Sequence, residues 1–268
     1  MIESVKIESR NNQRIKNLIK LGKRSERSKT GLFIVEGILE LERAILSDYD
    51  FDSVFFCPSI VDEEKADKLF SKIRARGFFE VTEEVFAKIA YRESTGGVVA
   101  TAYSRKHTFD DLSLPENPLV LVLEAIEKPG NIGAIYRSAD AAGVDAVIIC
   151  EPRADIYNPN AVRASIGTVF SVPTVLTNSE EAVNFLKNNK IRIFSSYLKA
   201  AKVYTEADFR GPAAIVMGTE ATGISQVWID NADENIIIPM RGIADSLNVS
   251  TATAVLLFEA SRQREEEK

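Results

Sequence analysis

The chain has two cysteines, a single histidine and no apolar run that could span a bilayer. "PLVLVLEAI", "AVIIC" and "ATAVLLF" fall far short of the roughly 20 residues a membrane helix needs, and neither terminus carries an apolar stretch of signal-peptide type. A soluble, intracellular and specifically cytoplasmic protein is expected. Cys57 and Cys150 sit in strand-like contexts as small hydrophobes, which excludes a disulfide framework. With His107 alone in the polar stretch "YSRKHTFDD", one chain cannot assemble a histidine zinc site, a histidine dyad or a Ser-His-Asp triad. No metal is expected, and any proton transfer must use other groups. A lysine is also missing where it would matter: in "MGTEATGIS", Gly218 and Gly223 have the glycine spacing of a phosphate-binding loop, but Ile224 and Ser225 follow where that loop needs Lys and Ser/Thr.

What is present suits packed domains: 45% hydrophobic residues with 8% aromatics over 268 positions, enough for two domains or one large one. The net charge of −6 argues against nucleic acid, yet it is unevenly spread. Residues 1–30 contain Lys6, Arg10, Arg14, Lys16, Lys20, Lys23, Arg24, Arg27 and Lys29 against Glu3, Glu8 and Glu26, so the body that follows is strongly acidic. A basic amino-terminal segment is either a phosphate-contacting arm or a solvated helix face, and charge alone does not decide between them.

The polar stretch "SRKHTFDDLSLPENP" separates two units, giving a first domain over residues 1–106, a linker over 107–117 and a second domain over 118–268. Strand and helix patterns alternate in both. In the second, the strands "LVLVLE", "AVIIC", "AAIVM" and "NIIIPM" are continuous apolar runs without period-2 alternation, as required when helices cover both faces of a parallel sheet. The fold class is α/β, a small α/β domain followed by a parallel sheet with crossover helices. Ligands of such sheets bind beyond the carboxyl ends of the strands.

Three loops stand at those ends. In "EKPGNIGAIYRSADAAG", Asn131 suits a helix N-cap, Gly143 suits the C′ position, and Arg137 shares a helical face with Gly133, so a helix N-terminus and a guanidinium could together hold phosphate. In "MGTEATGIS", Gly218 lets the chain leave its strand close to a ligand and Glu220 places a carboxylate there. In "IIIPMRGIADSLNVSTATAVLLFE", Ser246, Asn248, Ser250 and Thr251 exceed what capping one helix requires, which points to ligand contacts.

Together these stretches resemble, in order, the three motifs of the SpoU (TrmH) family of RNA ribose 2′-O-methyltransferases in the SPOUT class: "EKPGNIGAIYRSADAAGV", "IVMGTEATGIS" and "IPMRGIADSLNVSTATAVLLFE". "SLNVS" is the most specific of them. Thr219 departs from the Asn more usual before the glutamate, while Gly218 and Glu220 keep the pattern. The first unit resembles the L30e-like substrate-binding domain that often precedes this catalytic domain, with "GLFIVEG" as its strand. The resemblance implies a carboxyl-terminal trefoil knot, S-adenosyl-L-methionine as cofactor, and a homodimer with the active site at its interface. It also implies RNA as substrate, with 23S ribosomal RNA favoured over transfer RNA. Arg137, Asn131, Glu220, Ser246 and Asn248 would be the catalytic residues, and Met217, Gly218, Ile238, Met240 and Leu247 would hold the cofactor. A non-catalytic RNA-binding protein of the same fold remains the alternative of a different class, and a P-loop hydrolase is disfavoured by the missing lysine.

Overall fold

The computed structural model describes residues 3–91 and 96–265. Two compact units emerge: one runs to Arg105 and includes Asp155–Ser171, and the other comprises Lys106–Ala154 with Val172 onward. The first contains β1 (Ser4–Ile7), α1 (Gln13–Lys20), α2 (Arg24–Thr30), β2 (Leu32–Glu36), α3 (Ile38–Leu46), β3 (Phe51–Phe56), α4 (Glu63–Phe70), β4 (Ala75–Val81), α5 (Glu83–Ile89) and β5 (Val98–Tyr103). Its sheet has the order β1-β4-β3-β5-β2, with β1, β4 and β3 parallel and β5 antiparallel to both β3 and β2.

The basic amino-terminal segment is built into this unit. β1 pairs with β4, and α1 buries Ile15 and Leu18 against Phe55, Phe79 and Val99. Arg27 is not a surface charge at all. Its side chain is 4% exposed, Nε donates to Asp155 Oδ2 at 2.7 Å, and Nη1 donates to the carbonyls of Leu21 and Gly22. A buried guanidinium satisfied in this way closes a helical turn. The segment is therefore neither a free arm nor a uniformly solvated face.

The second unit opens with β6 (Leu119–Glu124), α6 (Pro129–Ala141) and β7 (Ala146–Cys150); the chain then passes through α7 (Pro159–Ala164), which packs on β2 within the first unit. It continues with β8 (Thr174–Thr177), α8 (Ser179–Asn188), β9 (Arg192–Ser196), the two-residue β10 (Lys202–Val203), β11 (Ala213–Met217), α9 (Gln226–Asn231), β12 (Glu234–Ile237) and α10 (Val249–Glu265). All seven strands are parallel, in the order β10-β12-β9-β11-β6-β7-β8. The continuous apolar strands read from the sequence are the central ones. Every residue of β6, β7 and β11 is buried, because α8 and α9 cover one face of the sheet while α6 and α10 pack together.

Boundaries shift where side-chain chemistry competes with the apolar pattern. The helix expected to start at Asn131 starts at Pro129, which is pre-set for the first helical position. Lys128 is the N-cap and Asn131 lies inside the first turn, so it is not the cap that the sequence suggested. Gly143 does end that helix, at φ +72°. The last strand stops at Ile237 and the last helix begins at Val249, leaving an eleven-residue loop over 238–248. The last turn of α10 carries Arg264, whose guanidinium donates to the carbonyls of Asn117, Pro118, Phe209 and Gly211. No helix among the described residues is long and apolar enough to cross a membrane.

Candidate active site

β6 and β11 are neighbours at the middle of the parallel sheet. The residues that leave their carboxyl ends therefore emerge side by side, and α10, packed against both α6 and β11, brings its own amino terminus to the same place. Glu220 is where the three loops meet. Asn131 Nδ2 and Asn248 Nδ2 each donate to Glu220 Oε1 at 2.7 Å, and Lys128 Nζ pairs with Oε2. Asn248 Nδ2 also lies 3.4 Å from Asn131 Oδ1.

Each partner is oriented by secondary structure. Asn248 caps α10: its Oδ1 accepts from Ser250 N at 3.0 Å and from Ser250 Oγ at 2.6 Å, and its carbonyl accepts from Ala252 N. With its oxygen committed to the helix, its amide nitrogen must face the carboxylate. Asn131, in the first turn of α6, needs no capping bond and is left to reach Glu220. The Lys128 contact, followed by the Asn131 hydrogen bond, holds the Glu220 carboxyl below the usual carboxylate range. A carboxylate between two helix amino termini also lies where their dipoles favour negative charge.

The Glu220 loop has a tight internal geometry. Thr219 and Gly223 exchange both backbone hydrogen bonds, at 3.0 and 3.1 Å, across the turn 220–222, and Thr219 Oγ1 accepts from Thr222 N at 3.0 Å. The chain folds back so closely that a Cβ on Gly218 would lie 2.2 Å from the Gly223 carbonyl, and Gly223 itself has φ +69°. Both glycines are thus consumed by the loop's own turn rather than by phosphate wrapping. The glycine spacing that suggested half of a phosphate loop has a local cause.

The loop's far end is fixed by a buried network that the sequence reading did not single out. Ser225 N donates to Glu124 Oε2 at 2.7 Å; Ser179 Oγ lies 3.2 Å from Glu124 Oε1 and accepts from Trp228 Nε1 at 3.0 Å. Glu124 is 6% exposed and Trp228 fully buried. A glutamate closing the apolar run "LVLVLE" and the chain's only tryptophan were the available clues, since both need polar partners once buried. Lys128 was missed for a different reason: a lysine before Pro-Gly looks like loop solvation.

Arg137 is exposed on α6 and carries no hydrogen bond or ion pair among the described residues, whereas Gly133 is buried. Neither Asn131 nor Glu220 hydrogen-bonds to Arg137; both are committed to the cluster described above. Ser246 is exposed in the loop before α10. Met217 and Gly218 are buried at the end of β11, Ile238 and Met240 are half-buried, and Leu247 is 37% exposed. Within residues 238–247, Ile238 and Met240 are partly covered while Ile243 is fully exposed, on a backbone that makes no hydrogen bond to the rest of the described residues. Open amides and carbonyls beside apolar side chains suit a nucleoside, whose ring stacks and whose edge needs donors and acceptors.

Comparison with known proteins decides what this cluster belongs to. The model of the SpoU rRNA Methylase family matches residues 118–258, more than half of the chain. The chain belongs to the SpoU rRNA methylase family. Residues 12–100 match the model of an MRM3-like substrate binding domain. Over 261 residues the chain is 30% identical to the 23S rRNA (guanosine(2553)-2′-O)-methyltransferase RlmP of Bacillus subtilis, covering 94% of this chain and 97% of that one. Among solved structures, an RNA 2′-O ribose methyltransferase superposes with a TM-score of 0.85 at 35% identity, covering 97% of this chain and all of the other. The AdoMet-bound rRNA methyltransferase of Sinorhizobium meliloti superposes with a TM-score of 0.87 at 28% identity, covering 97% and 98%. As a SpoU member the chain is an RNA methyltransferase, and the expected α/β class and two-part organisation of the fold agree with those structures.

Proposed function

We propose that the chain transfers the methyl group of S-adenosyl-L-methionine to a ribose 2′-hydroxyl of 23S ribosomal RNA, in the cytoplasm and as a homodimer. The observation that carries this reading is the convergence on Glu220 of donors from two other motifs, Asn131 and Asn248, with Arg137, further along α6 from Asn131, left unengaged among the described residues. A cluster that spends its polar groups on itself is a scaffold, and Arg137, which has no hydrogen bond or ion pair among the described residues, is available to substrate. The named activities of RlmP and of the other 23S rRNA relatives, and the AdoMet in the Sinorhizobium structure, support the substrate and cofactor.

The cofactor supplies an electrophilic methyl group on a sulfonium. Backbone groups at Gly218, Ile238 and Leu247 hold its adenosine, with Met217 and Met240 alongside. Arg137 holds the target nucleotide's phosphate and stabilises the alkoxide character that develops on the 2′-oxygen; its pKa above about 12 makes it unsuited to act as a base. Glu220 is a positioning residue that sets the angle between α6 and the 238–248 loop through the two asparagines, and Ser246 and Asn248 line the reacting centre. The reading includes a trefoil knot in the carboxyl-terminal segment, supported by the packing of α10 against β11 and α6. The exposed apolar side chains Leu247 and Phe258 on this unit support a second copy as the neighbour.

A transfer assay with methyl-tritiated cofactor on total RNA tests the reading. Arg137→Ala is expected to lower kcat about 100- to 1,000-fold with unchanged cofactor affinity. A variant with wild-type turnover removes Arg137 from the mechanism, and a wild-type protein that methylates no RNA removes the function.

A further inference from the structure

The first unit encloses a cavity of about 320 Å³ between α1, α2 and the sheet, at the small end of the ~300–1,000 Å³ range of ligand pockets. Its origin lies in a local change of residue type along paired strands. Phe55 opposite Val99 closes the core beneath α1, but two positions along the same face Ser53 opposes Thr101. Both are buried, and they are too small to fill the space an aromatic and a β-branched side chain would occupy.

A β-bulge in β3 falls between Phe51 and Ser53, where the register to β5 shifts by one residue. The extra residue is Asp52, and bulges re-aim side chains. Asp52 turns onto the cavity wall, accepting from Ser53 Oγ at 2.8 Å and from Tyr103 OH at 3.1 Å. Two carboxylate oxygens offer about four acceptor sites, so each oxygen still has one to give. Leu18, Leu21 and Leu32 supply apolar walls. At the rim, Arg14 is held over the Phe79 ring at 4.5 Å, and Lys20 and Lys29 are exposed with no ion pair among the described residues.

We infer that this cavity takes one unpaired nucleotide of the substrate RNA, with guanine as the preferred base. The inference rests on the proposed RNA methyltransferase activity and adds a recognition site to it. The leucine walls accept a base face, and Arg14, Lys20 and Lys29, which outnumber Glu26 in the lining, accept the flanking phosphates. The Asp52 carboxylate selects the edge: guanine presents two neighbouring N–H donors, at N1 and N2, which match its two oxygens, and no other base presents such a pair. This is bidentate recognition of the kind that carries sequence specificity in single-stranded RNA.

The test uses the full chain with short single-stranded RNAs that differ only in the central base, G, A, C, U or abasic, read by fluorescence anisotropy. The wild type is expected to favour the G oligonucleotide. Asp52→Asn, which keeps the shape and puts a donor where an acceptor stood, is expected to weaken that complex about ten-fold or more while the abasic complex is unchanged. Asn17→Trp, a substitution on an exposed position of α1 that fills the mouth, is expected to abolish base preference without altering the melting temperature. An RNA carrying 6-thioguanosine at that position should crosslink to peptides within 13–32 or 51–56.

Equal affinity for all five oligonucleotides, or unchanged preference in both variants, overturns the inference. Tight binding of free guanosine monophosphate together with RNA affinity unaffected by Asp52→Asn also overturns it, assigning the cavity to a mononucleotide. Methyl transfer to total RNA is measured on the same preparations: its loss in the wild type rejects the underlying function, while its persistence with no base preference rejects only the cavity's role.

Discussion

Gly218→Ala should be far more damaging than its size suggests. Its Cβ would stand 2.2 Å from the Gly223 carbonyl carbon and oxygen and 2.4 Å from Ile224 N, all of them backbone atoms that no rotamer change can move aside. The loop must open, giving up the two Thr219–Gly223 backbone bonds. At about 0.5–1.5 kcal/mol each, these amount to about 1–3 kcal/mol, in line with the cost of forcing a methyl group into a closed site. At about 2–4 °C per kcal/mol for a domain of this size, the melting temperature should fall by on the order of 2–12 °C. Activity should suffer more, because opening moves Glu220 away from both asparagines, and an ångström of misplacement can cost on the order of 100-fold in rate. Gly130→Ala is the control. Its Cβ meets nothing within 4 Å, and in the first turn of α6 alanine should leave stability unchanged or raise it by up to about 1 kcal/mol. Calorimetry and methyl-transfer kinetics on the two variants read the difference. Wild-type melting and turnover in Gly218→Ala would refute the claim that this glycine exists for loop closure.

Two further outcomes follow from charge placement. Glu220 has its folded-state pKa lowered, so its contribution is present above the ordinary carboxylate value of about 4.3 and is lost only as pH falls through the depressed value; a carbon-13 NMR titration should show it ionised at pH 5, and Glu220→Gln should lower methyl transfer at every pH rather than shift the acid limb. Arg27→Ala leaves Asp155 and the carbonyls of Leu21 and Gly22 without their buried donor, and should cost about 3–5 kcal/mol by denaturant unfolding; a loss below about 1 kcal/mol would show that this guanidinium is solvated after all.

"LVLVLE", "AVIIC" and "AAIVM" declared themselves as buried parallel strands because two-sided burial suppresses alternation, and the loops at their ends were legible as a site because ligands of such sheets bind there. The sequence also contained the chemistry of Asn131, Glu220 and Asn248, since those residues recur in the family's motifs. Their pairing was not readable, because they are separated by up to 117 positions and only the adjacency of β6 and β11, with α10 laid against α6 and β11, brings their amides to one carboxylate. Asn131 looked like a cap until Pro129 took the first helical position. Arg27 looked like one basic charge among nine until burial made it a structural bond. Gly218 is the sharpest case: its identity is explained by an atom five residues away that only the folded loop places beside it. Local propensity and periodicity act within a few residues and are written along the chain, whereas close approach, burial and electrostatic pairing depend on which distant segments the sheet order makes neighbours.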